Sequence, residues 1–71
     1  MTYRPSNVRT WAEETGYPVP VRGRLSYDAV ATYLQAHQQV ARHLADEHGV
    51  HVSARGRVSL ATCEELALLV R

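Results

Sequence analysis

The chain reads as an all-α protein made of a tandem helix-loop-helix repeat: a short helix, a long central helix and a C-terminal helix, joined by extended loops. Two observations predict this. Arg-Gly-Arg occurs twice, at Arg22-Gly23-Arg24 and Arg55-Gly56-Arg57, and the flanking segments align without a gap when Arg22 is set on Arg55. Ala12, Glu14, Gly16, Val19, Leu25 and Ser26 then fall on Ala45, Glu47, Gly49, Val52, Val58 and Ser59. Outside these loops the apolar residues recur at the three-to-four spacing of a helix. A unit this short cannot bury a core of its own, so two copies are expected to stack and share one. The expected organisation is an N-terminal tail over 1–6, a first unit over 7–37 and a second over 38–71, packed together as one domain.

Each element has a local reason. Val8, Trp11 and Ala12 keep helical spacing after Ser6 and Asn7, either of which accepts hydrogen bonds from first-turn amides, and Gly16 stands where helices end. A first helix is therefore predicted over about Asn7 to Thr15. Pro18 and Pro20 fix φ and remove amide donors, so Tyr17 to Val21 is an extended connector that delivers the first Arg-Gly-Arg. Ser26 is the next N-cap, Asp28 complements the helix dipole, and no glycine or proline follows until Gly49. One helix is predicted from Tyr27 to about His48, with a bend allowed in His37-Gln38-Gln39 and an inner stripe of Val30, Leu34, Val40, Ala41 and Leu44. Val50 to Ala54 repeats the connector, and Ser59 caps a last helix over Leu60 to about Val70. That helix is apolar on more than one face, which makes it either deeply buried or the contact of a homodimer.

Composition narrows the function classes. A chain of 71 residues has little burial to spare for strained features, and no apolar run approaches a membrane span. The N-terminus lacks a signal-peptide pattern, and Cys63 is the only cysteine, so a cytoplasmic, nucleoid location is expected and a disulfide framework is not. All eight basic side chains are arginine, while lysine, isoleucine and phenylalanine are absent; their codons are AT-rich, so the source genome is inferred to be GC-rich. The net charge of +1 supports nucleic-acid binding only through local clustering, and Asp46, Glu47, Glu64 and Glu65 lie outside the two arginine loops.

Arg-Gly-Arg suits one target. The minor groove of AT-rich DNA is narrow and strongly negative, and its floor offers only acceptors, so it attracts arginine. A glycine lets the backbone lie close to that floor while the two arginines reach in opposite directions along it, as in an AT-hook. The site residues expected from this logic are Arg22, Gly23, Arg24, Arg55, Gly56 and Arg57. The helix N-terminus behind each loop suits a backbone phosphate.

Val8-Arg9-Thr10-Trp11-Ala12, Gly16, Val19, Arg22-Gly23-Arg24-Leu25, Val30, Tyr33 and Ala36 together resemble the C-terminal DNA-binding domain of the Lsr-two family, the actinobacterial H-NS-like nucleoid-associated silencers. The resemblance covers about Asn7 to His37 and, through the repeat, suggests two such domains in tandem. It implies two helices joined by a long loop whose Arg22-Gly23-Arg24 enters the minor groove of AT-rich DNA, and an actinobacterial or actinophage source. Ala41 to Val50, followed by Gly56-Arg57-Val58, is also similar to the peripheral subunit-binding domain of 2-oxoacid dehydrogenase complexes, which implies a protein-binding module instead.

The sequence gives no reason to expect an enzyme, a cofactor or a metal. His37, His43, His48 and His51 form no i, i+4 pair of histidines and have no cysteine cluster beside them. Cys63 falls on Val30 in the repeat, a core position, and Trp11 reads as the anchor of the first helix. Arg9 and Arg42 read as part of a solvated helix face. The expected function is regulation or organisation of AT-rich double-stranded DNA, by a silencer-like or architectural factor or by an antagonist of a host silencer. A homodimer through the last helix would present four arginine loops.

Overall fold

Four helices and no strand form the described residues of the computed structural model, which are 3–19, 23–53 and 55–70: α1 (Pro5–Thr15), α2 (Tyr27–Ala36), α3 (Gln38–Glu47) and α4 (Leu60–Val70). The all-α class is as the sequence predicts. α1 starts earlier than predicted, and the bend allowed in His37-Gln38-Gln39 is a full break at His37.

α1 begins two residues early because Pro5 occupies its first turn, where the missing amide has no intrahelical partner to lose and φ is already helical. Arg4 takes the cap position with no side-chain bond. Ser6 therefore caps nothing, and its carbonyl instead accepts the Thr10 hydroxyl at 3.0 Å. α2 and α4 have the caps the sequence predicts. Ser26 Oγ accepts from the Ala29 amide at 3.3 Å, and Ser59 Oγ accepts from the Thr62 amide at 3.2 Å.

The predicted Tyr27–His48 helix is broken at His37, which is non-helical at φ −120° and ψ 74°. No glycine or proline causes this. The His37 imidazole hydrogen-bonds the Tyr33 carbonyl through Nδ1 at 2.8 Å, its ring stacks on Tyr33 with centroids 4.1 Å apart, and Trp11 meets it edge-on. The His37 carbonyl accepts the first amides of α3, from Val40 and Ala41. Beyond the break Val40, Ala41, Leu44 and Ala45 are all buried.

One hydrophobic cluster joins the two halves: Val8, Leu25, Val30, Tyr33 and Leu34 pack with Val40, Leu44, Val58, Cys63 and Leu66. The most extensive helix contact is between α2 and α4. The Arg57 guanidinium, ahead of α4, donates to the Gln35 carbonyl in the last turn of α2 at 2.9 Å. At the opposite end Val70, which closes α4, shares a small cleft with Gly23, Arg24 and Leu25, which precede α2. α2 and α4 therefore run antiparallel, and the two arginine loops sit at opposite ends of the pair.

Candidate nucleic-acid interface

The loops hang between apolar anchors. Leu25 and Val58 are buried immediately after each Arg-Gly-Arg, while Val19 and Val52 pack against the same core from the other side. Gly23, Arg24, Arg55, Gly56 and Arg57 are all exposed, whereas Arg22, the remaining predicted site residue, lies outside the described residues. Gly23 has φ +91° and Gly56 φ +80°, backbone that an L side chain rarely adopts, so the glycines fix the loop conformation as well as allowing close approach.

Arg9 and Arg42 were expected to be solvated; the structure uses both to hold the loops. Arg9 Nη2 donates to the Gly23 carbonyl at 2.5 Å. Arg42 Nη2 donates to the Gly56 carbonyl, and its Nη1 donates to the Ser53 carbonyl at 2.7 Å. The Arg9–Gly23 and Arg42–Gly56 bonds each span 14 residues of chain. The signal was present in the sequence, because Arg9 falls on Arg42 in the repeat. The cap bonds and the bonds that end the first helix of each half recur in register too: Tyr17 N–H donates to Ala12 at 2.9 Å and Val50 N–H to Ala45 at 2.8 Å.

The second loop carries further bonds. Gln38 accepts the Val58 amide on Oε1 at 2.5 Å and donates through Nε2 to the Gln35 carbonyl at 2.8 Å, where Arg57 also donates. The Arg55 amide donates to Ser53 Oγ at 3.3 Å. Nothing in the repeat announced Gln38, since Pro5 stands at the matching position.

The remaining candidate groups are structural. Trp11 packs against Tyr17, Tyr33 and His37. Cys63 is buried, which raises its thiol above the ordinary value of 9.0, while the Arg57 guanidinium pulls it partly back, so a nucleophilic thiolate is disfavoured. Burial also raises the Tyr3 and Tyr33 hydroxyls. His43 pairs with Glu47 at 3.1 Å on the exposed side of α3. Among the described residues no group of histidine, cysteine or carboxylate side chains could hold a metal ion, and no helix is long and apolar enough to cross a membrane.

The family model of the Lsr2 DNA-binding domain matches residues 2–36. This corrects the expectation of the family's C-terminal domain in tandem: the match lies at residues 2–36, in the N-terminal half of this chain. No curated protein and no solved structure matches the chain. The matched stretch contains α1 and α2, so the N-terminal half of this small all-helical chain is similar to a DNA-binding domain family.

Proposed function

We propose that the chain binds AT-rich double-stranded DNA by inserting its Arg-Gly-Arg loops into the minor groove, and that it acts in the nucleoid as a silencer-like or architectural regulator. The match of residues 2–36 to the Lsr2 DNA-binding domain carries this reading, because the matched stretch contains Arg22-Gly23-Arg24. The loop has the chemistry the groove requires. Gly23 is exposed, Arg9 ties its carbonyl back toward α1, and Arg24 is exposed next to the buried anchor Leu25. The N-terminus of α2, directly behind the loop, supplies amides and a positive dipole end for a flanking phosphate. The second loop has the same glycine geometry and an arginine tie at the same distance, and it extends the reading to a paired site made by two helix-loop-helix units. Self-association through α4 belongs to this reading, since Leu68 is 62% and Leu69 52% exposed.

Fluorescence anisotropy with matched AT-rich and GC-rich duplexes across a salt series is the test, with light scattering of the same samples for the mass. The expected result is AT preference, affinity falling steeply with salt, and a mass above that of one chain. Equal affinity for both duplexes would remove the groove reading, and a mass of one chain at micromolar concentration would remove the dimer.

A further inference from the structure

The two loops share a sequence and a glycine geometry, but their arginines are held differently. Among the described residues Arg24 has no hydrogen-bond partner, whereas the Arg57 guanidinium donates to the Gln35 carbonyl at 2.9 Å. That carbonyl belongs to the last turn of α2, where acceptors lack intrahelical donors and the helix dipole favours a cation. Gln38 reinforces the same point by bonding both the Gln35 carbonyl and the Val58 amide. Val58 is buried, so the backbone following Arg57 is fixed in the core. The guanidinium also lies close enough to the buried Cys63 thiol to favour its charged form. In the first half Pro5 stands where Gln38 does, with neither an amide donor nor a side-chain acceptor to make the clasp.

Resting on the minor-groove reading above, we propose that Arg57 is a positioning residue that pins the second loop to the end of α2, so that this loop reads the groove with Arg55 alone. The two sites are then unequal. The first keeps Arg24, on the α2 side of its glycine, for the groove, and the second, with Arg57 pinned, reads from the other side of its glycine alone.

The test compares Arg24→Gln, Arg55→Gln and Arg57→Gln by anisotropy on an AT-rich duplex across a salt series, with thermal melts of each. Glutamine at 57 keeps an amide donor for the Gln35 carbonyl while removing the charge, which protects the fold where Arg57→Ala risks losing it. Expected are losses of about tenfold or more for Arg24→Gln and Arg55→Gln, each lowering the salt slope by about one. Arg57→Gln should keep affinity within about twofold and leave the slope unchanged, while Arg57→Ala lowers the melting temperature. If Arg57→Gln loses affinity and slope together as Arg55→Gln does, Arg57 is a reader and the proposal fails. It fails also if Arg55→Gln is silent while Arg24→Gln is not. Silence of all three overturns the minor-groove reading itself.

Discussion

Gly56 illustrates how little a single residue needs in order to matter. A Cβ built on it would meet nothing within 4 Å, so the whole cost of substitution lies in its φ of +80°. Left-handed backbone costs a non-glycine residue about 1–2 kcal/mol, less for asparagine, whose short polar side chain tolerates that region. Gly56→Ala is therefore expected to lower the melting temperature by about 4–8 °C for each kcal/mol lost, with Gly56→Asn falling between alanine and wild type. Thermal melts of the three proteins decide this, and equal losses for alanine and asparagine would show that space rather than backbone strain sets the limit. The repeat made Gly23 and Gly56 conspicuous in the sequence, but only coordinates show that both have positive φ and that Arg9 and Arg42 bond their carbonyls.

At the scale of elements, the helix ends separate local signals that the fold uses from those it ignores. Ser6, Ser26 and Ser59 look equivalent in the sequence, each preceding a helical pattern. Ser26 and Ser59 cap, while Ser6 falls inside α1 because Pro5 claims the first turn. Replacing a capping serine by alanine costs about 0.5–2 kcal/mol. Ser26→Ala and Ser59→Ala should each lower the melting temperature by several degrees and Ser6→Ala should change it little; a loss at Ser6 matching the other two would contradict the cap assignment. The break at His37 is the opposite case. The sequence allows a bend in His37-Gln38-Gln39 without deciding it; the His37 ring stacks on Tyr33, four residues earlier, and the edge of Trp11 reaches it from α1.

At the scale of the molecule, the core is one cluster drawn from both halves, with Leu34 of α2 and Leu66 of α4 among its largest fully buried side chains. Removing a buried leucine to alanine costs about 2–5 kcal/mol, a large share of the total stability of a domain this small. Trp11, the only tryptophan, lies in α1 and reports on the first half from a distance. Leu66→Ala is expected to shift the unfolding midpoint seen by Trp11 fluorescence and that seen by far-UV circular dichroism by the same amount. Separate midpoints would mean that the halves unfold independently. The antiparallel α2–α4 pair also separates the two arginine loops by about the length of a ten-residue helix, roughly 15 Å. On the proposed minor-groove reading, two loops so placed are two sites rather than one patch.

The all-helical class, the repeat and the serine caps ahead of α2 and α4 were readable from residue order alone. These features rest on interactions between near neighbours, and near neighbours are what a linear pattern records. The choice of His37 as the break was decided in the tertiary structure, where Trp11 of α1 meets its ring and Val40 and Leu44 beyond it are buried. The ties from Arg9 and Arg42, the clasp at Gln38 and the pinning of Arg57 join groups 11 to 22 residues apart. Tertiary structure alone decided them, because a guanidinium or an amide finds its carbonyl only after the helices carrying the two have packed.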